Sequence, residues 1–273
     1  MTASPRLIDR RTFVTDLGRG AFAVTILGIA ACAPASSSAG ASVSATPDAA
    51  SSTPGNGSTP PASASASASA SASAATGGAL AWSRVNLGFV SAYLLVRGGE
   101  AALVDTGVEN SADAIEAALR SLSLGWAAVG HVILTHKHGD HAGSAGVVLE
   151  RAPDAMGYAG AEDIAGITVP RALTPVQDGD RVFDLQVVTT PGHTAGSISL
   201  LDPAGSVLVA GDALRVTGGR PAYPDGQFTE DMDGAKASVA KLAALAFDTL
   251  LVGHGDPIEG GAAAAVAALA AGG

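Results

Sequence analysis

One cysteine, Cys32, stands in 273 residues. A lone thiol excludes an internal disulfide and any zinc motif built on several cysteines. Basic residues are scarce: 15 Lys and Arg against 25 Asp and Glu give a formal net charge of -10. Phosphate backbones are held by clustered Lys and Arg, so this balance argues against a nucleic-acid partner. Aromatic residues make up 4% of the chain, so the 47% apolar fraction builds its core from aliphatic side chains and Ala. Long apolar runs are missing as well. The stretch from Ala21 to Ala31 falls well short of the ~20 residues a bilayer-spanning helix needs, but it suits the apolar region of a signal peptide.

The residues around that stretch read as an address. Arg10-Arg11-Thr12-Phe13-Val14 is a twin-arginine pair followed by apolar residues, and Arg19 precedes the apolar stretch. The run closes on Ile29-Ala30-Ala31-Cys32, which resembles a bacterial lipobox, where the Cys is lipidated and becomes the new N-terminus. Residues 1–32 are therefore expected to direct twin-arginine export of a folded chain. The product would be a lipoprotein held through Cys32 on the extracytoplasmic face, with the membrane touched through the lipid anchor only. Removing residues 1–31 takes away four Arg and two Asp and leaves 11 basic and 23 acidic residues. Residues 33–78 are Ala, Ser, Pro, Thr and Gly almost throughout, with strict Ser-Ala alternation from Ser63 to Ala74. Such a segment has little to bury and reads as a disordered tether.

The folded domain is expected over 79–273. Apolar runs at 82–86, 90–96, 101–104, 132–134, 183–190, 197–201, 207–210 and 249–252 predict strands. Helical spacing predicts helices over 111–121, 142–151, 232–247 and 262–271. One regularity connects them. The strands before His136, His193, Asp212 and His254 each end in a His or Asp close to Gly, and another ends at Asp105. Strand ends on one sheet edge can converge on one site, and Gly lets backbone approach it closely. The densest cluster is Thr135-His136-Lys137-His138-Gly139-Asp140-His141, which holds three of the six His of the chain. His131 stands outside the pattern and reads as structural or surface.

Five His and two Asp on four loops make a metal site. Imidazole and carboxylate suit zinc, iron or manganese. Seven ligands exceed one tetrahedral ion and fit two ions sharing a bridge. An Asp can bridge with both oxygens, and a shared hydroxide would be a nucleophile at neutral pH. His136-x-His138-x-Asp140-His141, followed by His193, Asp212 and His254, resembles the metallo-β-lactamase-fold hydrolase superfamily. The resemblance implies an α/β fold, a four-layer αββα sandwich with the site at one sheet edge. It also implies a ligand split: His136, His138 and His193 on one metal, Asp140, His141 and His254 on the other, with Asp212 bridging. Zinc is the expected metal, two ions, with iron or manganese as alternatives. Asp140 and Asp212 take catalytic roles, Asp105 orients a ligand His, and Thr194 shapes its loop.

Within the superfamily, the retained Asp212 points to glyoxalase-II-like and lactonase-like branches. Cys-ligand β-lactamases would need a thiolate at that position. Glyoxalase II adds a C-terminal helical region that grips glutathione. Residues 255 to 273 are all that follows His254 here, so that grip is not expected. The reading is a hydrolase of ester, thioester or lactone bonds acting on a small molecule. Alternatives are an iron oxidoreductase like the sulfur dioxygenases, a β-lactam hydrolase, or a binding lipoprotein on a decayed scaffold. The segment from Ala213 to Asp231 is the expected substrate loop. Its Arg215 and Arg220 could bind a carboxylate, and its Tyr223 could donate to an oxyanion.

Overall fold

The computed structural model describes residues 79–204 and 206–272. The expected signal peptide, Cys32 and the tether lie outside the described residues. Two six-stranded sheets carry the architecture. The first has the spatial order β1 (Ala81–Asn86), β2 (Ser91–Arg97), β3 (Glu100–Val104), β4 (Val129–Leu134), β5 (Met156–Gly160), β6 (Thr174–Val176). The second contains β7 (Arg181–Val182), β8 (Leu185–Thr189), β9 (Ile198–Asp202), β10 (Val207–Gly211), β13 (Thr249–Val252) and β14 (Ile258–Glu259), in the order β14-β13-β10-β9-β8-β7. A small hairpin of β11 (Arg215–Thr217) and β12 (Arg220–Ala222) follows β10.

Period-two side-chain placement explains why these strands are apolar on both faces. In β4, Val132 and Leu134 join an outer cluster, while Ile133 points between the sheets. In β10, Val207 and Val209 join the layer between the sheets, and Leu208 and Ala210 face outward. Helices α1 (Ala112–Ser121) and α3 (Ala145–Arg151) cover the first sheet through Ile115, Leu119, Val148 and Leu149. Helices α4 (Met232–Ala243) and α5 (Ala262–Gly272) cover the second through Val239, Leu242, Ala262 and Val266. The layers are α, β, β, α, as the family resemblance implies. Among the described residues no helix is long and apolar enough to cross a membrane.

Several local expectations change. The strand expected over 183–190 begins only at Leu185. Phe183 and Asp184 both take positive φ, 54° and 60°, and turn the chain from β7 into β8. The helix expected over 142–151 is two pieces, α2 (Gly139–Ala142) and α3. They break at Gly143, where an added Cβ would lie 2.2 Å from the Gly139 carbonyl. Helix α4 stops at Ala243, short of Phe247. His131 lies within β4 and packs beside Tyr158 and Phe183, with ring centroids at 5.8 and 5.5 Å.

The topology decides where the loops fall. Strands β3 and β4 run parallel, so both end at the same edge. Strands β8 and β10 each pair antiparallel with β9, and β10 runs parallel to β13, so β8, β10 and β13 also share a direction. Hydrogen bonds from Ser91 N to the Gly253 carbonyl (2.9 Å) and from Ile198 N to the Thr135 carbonyl (2.9 Å) join the two sheets at that edge. Five strand ends therefore open onto one place.

Candidate metal centre

The loop after β4 supplies His136 and His138, and α2 supplies Asp140 and His141. The turn after β8 supplies His193, the end of β10 supplies Asp212, and the end of β13 supplies His254. All seven residues come together. Three overlapping groups place ligand atoms within 4.8 Å of one another: His136-His138-His193, His136-His141-Asp212 and Asp140-His141-His254. Asp212 lies between the first and last. Its Oδ2 is 3.5 Å from His193 Nε2 and 3.2 Å from His254 Nε2, and its Oδ1 is 3.3 Å from His141 Nε2. Gly253 makes this approach possible, because a Cβ there would stand 2.2 Å from Asp212 Oδ1 and 2.4 Å from His141 Cε1.

The outer ring nitrogens fix the orientation of four of the five imidazoles. Asp105 Oδ2 accepts from His141 Nδ1 at 2.9 Å and from the Thr135 hydroxyl at 2.8 Å. With its proton given to Asp105, Thr135 Oγ1 accepts from His136 Nδ1 at 3.1 Å. Thr229 donates its hydroxyl to the Asp225 carbonyl and accepts from His193 Nδ1 at 3.3 Å. The Phe89 carbonyl accepts from His254 Nδ1 at 2.8 Å. Each contact places a proton on Nδ1 and turns Nε2 into the cluster, which is how a scaffold selects the ligating tautomer. His138 alone faces inward with Nδ1, 2.9 Å from His193 Nε2.

These residues fit a metal. His136 Nε2 and Asp212 Oδ1 are buried without a hydrogen-bond partner, and such groups call for a specific explanation. A cation bound by both would satisfy them. Burial, reinforced by neighbouring imidazoles, pushes His136 well below the ordinary histidine range and His193 down to about 4, so both rings are neutral with a free lone pair. Asp140 and Asp212, which accept hydrogen bonds from its ring, raise His254 to about 10. Burial of Asp212 favours its protonated form, but His141 and the other rings outweigh it and hold the carboxyl well below the usual range. The cluster thus gathers ionised carboxylates and imidazoles: His136 and His193 are neutral, while the carboxylates around His141 and His254 favour a positive charge there, a charge that a bound cation would supply instead. Imidazole with carboxylate is the donor set of a borderline divalent ion.

A sequence model of the "Metallo-beta-lactamase superfamily" matches residues 85–254, a span that includes every residue of this cluster. The chain belongs to the metallo-beta-lactamase superfamily. A relative is the metallo-beta-lactamase domain-containing protein 1 of Xenopus laevis, 36% identical over 176 residues, covering 60% of this chain and 70% of that one. The hydroxyacylglutathione hydrolase of Alkalilimnicola ehrlichii is 35% identical over 147 residues, covering 53% of this chain and 52% of its own. The chain thus spans about half the length of that hydrolase. Among solved structures, a metallo-beta-lactamase family protein of Thermus thermophilus superposes with a TM-score of 0.59 at 26% identity, covering 71% of this chain and 78% of the other. This superfamily chain is a metallo-hydrolase, an enzyme of the same broad kind as its hydrolase relatives.

A cavity of about 660 Å³ opens over the cluster. His138, Asp140, His193, Asp212 and His254 line its floor, and Phe89, Arg215, Asp225 and Phe228 stand around it. Of the three substrate-binding residues expected on the 213–231 loop, Arg215 lines the cavity and Arg220 and Tyr223 do not. Tyr223 packs in the cluster under α5 and its hydroxyl donates to the Leu269 carbonyl at 3.5 Å, away from the cavity. Arg220 is exposed on β12. Thr194 is buried and donates to Asp163 Oδ2 at 2.6 Å, a contact that ties its loop to the turn after β5. Sequence reasoning missed Asp163, Thr229 and Phe89. None carries a local signal, since each gains its role from a contact more than 30 positions away.

Proposed function

We propose that the chain is a metal-dependent hydrolase of ester, thioester or lactone bonds, with two zinc ions, exported and anchored through a lipidated Cys32. The observation that carries the catalytic part is Asp212, whose two oxygens face His141 on one side and His193 and His254 on the other. His136, His138 and His193 would hold one ion, and Asp140, His141 and His254 the other, with Asp212 common to both. When bound, such ions supply a Lewis acid and a nucleophile active at neutral pH. Asp105, Thr135, Thr229 and the Phe89 carbonyl hold the imidazoles in one tautomer, so no ring must turn during turnover. Asp140 lines the cavity, where its carboxylate can take a proton from the attacking water and pass it to the leaving group. The hydroxyacylglutathione hydrolase relative supports a thioester or ester substrate by analogy of site.

The test is metal content per purified chain together with turnover of esters, thioesters and lactones by the parent and Asp212→Ala. The expected result is two ions, mostly zinc, and loss of at least about a thousandfold in turnover on Asp212→Ala, a magnitude typical of groups that organise charge in the transition state. One iron per chain with oxygen-dependent turnover would overturn the proposal. Export is tested separately. The parent should sediment with membranes and Cys32→Ala should be released, and an equal distribution of the two would remove the anchor from the proposal.

A further inference from the structure

The cavity over the metal cluster has a chemical character of its own. Phe89, on the turn between β1 and β2, and Phe228, in the segment before α4, both line it. Both remain 64% exposed, the highest of the five exposed large apolar side chains among the described residues. Phe89 is held in place, stacked on His254 with ring centroids 6.1 Å apart and planes 13° from parallel. Phe228 is fixed by its backbone N–H, which donates to the Asp225 carbonyl at 3.0 Å. Scattered exposed apolar residues are ordinary, but apolar side chains gathered at a cavity mark a binding surface. At about 660 Å³ the cavity far exceeds the roughly 30 Å³ per molecule that water takes in the liquid.

Cations at this edge point the same way. Arg215 is the only Lys or Arg among the cavity's lining residues. Its Nη1 faces Asp225 Oδ2 at 3.3 Å and its Nε donates to the Tyr223 carbonyl at 3.1 Å. Lys137, one residue from two candidate ligands, pairs with Glu230 at 2.8 Å and reaches the buried Asp163 at 3.7 Å. Arg84, near the β13 turn, pairs with Asp256 at 2.7 Å. Each of these three side chains is already paired with a carboxylate of the chain. Away from the metal cluster, an anionic substrate arm would have to compete with these carboxylates for a partner, inside a strongly acidic molecule.

Resting on the hydrolase reading above, we infer that the substrate is an uncharged ester, thioester or lactone whose apolar arm lies between Phe89 and Phe228. The carbonyl end faces the metal cluster, and the arm is recognised by burial alone. Hydrolysis adds water across the acyl bond, yielding a carboxylic acid and an alcohol or thiol, and needs no other reactant. Glutathione thioesters, with two carboxylates, are the opposite class and are disfavoured.

The test uses the purified metal-loaded chain with neutral thioesters of acyl length C2 to C8, and with S-lactoylglutathione. Full burial of one CH₂ is worth about fourfold, and a half-open cavity should give at least about twofold per CH₂ in kcat/KM. Phe228→Ala, and separately Phe89→Leu, should flatten that slope. A flat slope in the parent, or S-lactoylglutathione turned over faster than neutral thioesters, would overturn the inference. Binding of 2-heptanone and 2-undecanone, ketones without a scissile bond, is measured in parallel by calorimetry. Tighter binding of the longer ketone, reduced in Phe228→Ala, upholds the apolar site even if no substrate is hydrolysed, a result that would sink only the hydrolase reading. Equal binding of both ketones would sink the inference itself.

Discussion

Asp105 shows how much one residue can set. It sits at the end of β3 with φ of 60°, a left-handed conformation that Asp tolerates better than most side chains. That turn points both carboxylate oxygens back at the β4 loop. Oδ1 accepts from Thr135 N at 2.8 Å, and Oδ2 accepts from Thr135 Oγ1 and His141 Nδ1. All three partners are donors, so the position requires an acceptor on both sides. Asp105→Asn keeps the shape and places an N–H₂ against Thr135 Oγ1 and His141 Nδ1. His141 would then carry its proton on Nε2, the nitrogen aimed at the cluster. The expected outcome is metal affinity weakened by about 10- to 100-fold, the range for such supporting partners, with the far-ultraviolet circular dichroism of the parent. A competition titration with a chromophoric chelator measures it, and an unchanged affinity would remove Asp105 from its orienting role.

At the scale of elements, the question is what keeps two loops from different sheets in register. Asp163 does this from a short turn after β5. Its side chain is fully buried. It accepts from Lys137 N at 2.9 Å in the β4–α2 loop, and from Thr194 Oγ1 and Gly196 N, at 2.6 and 3.0 Å, in the β8–β9 loop. Asp163→Ala removes the acceptor of three donors, and each such loss costs roughly 1–3 kcal/mol. We expect at least ~3 kcal/mol of destabilisation in urea, accompanied by weaker metal binding because His136, His138 and His193 sit on the two loops concerned. Lost stability with metal affinity intact would make Asp163 a fold residue only. Asp163 also marks the boundary of what was legible. The strands ending at His136, His193, Asp212 and His254 could be read because a β-branched run meeting His and Gly is a local pattern. Asp163 is one acidic residue in an unremarkable loop, and its partners come from distant sequence. Strand β5, Met-Gly-Tyr-Ala-Gly, was illegible for another reason. Its two glycines interrupt any apolar run, yet Gly157 packs where a Cβ would meet Leu173 at 2.5 Å and Gly160 where it would meet the Gly196 carbonyl at 2.0 Å.

For the molecule as a whole, the cluster is a joint between the sheets. His136, His138, Asp140 and His141 follow β4 of the first sheet, while His193, Asp212 and His254 follow β8, β10 and β13 of the second. The layer between the sheets is held mainly by aliphatic contacts such as Leu95, Ile133, Leu200 and Leu251. The direct backbone links at the edge are few. An ion bound by ligands from both sheets would therefore stabilise the whole sandwich, because it binds the folded chain and not the unfolded one. One ion at a thousandfold excess over its Kd adds about 4 kcal/mol, which for a domain of this size corresponds to about 8 to 16 °C in Tm. Chelation of the loaded chain should lower Tm by that much in a single cooperative transition, with zinc restoring it. Asp212→Ala, which lacks the carboxylate shared by both halves, should show a smaller shift. A chelator effect confined to activity, with Tm unmoved, would mean that the two sheets hold their positions without help from the metal, and that the cluster binds its ions too weakly to be occupied at rest.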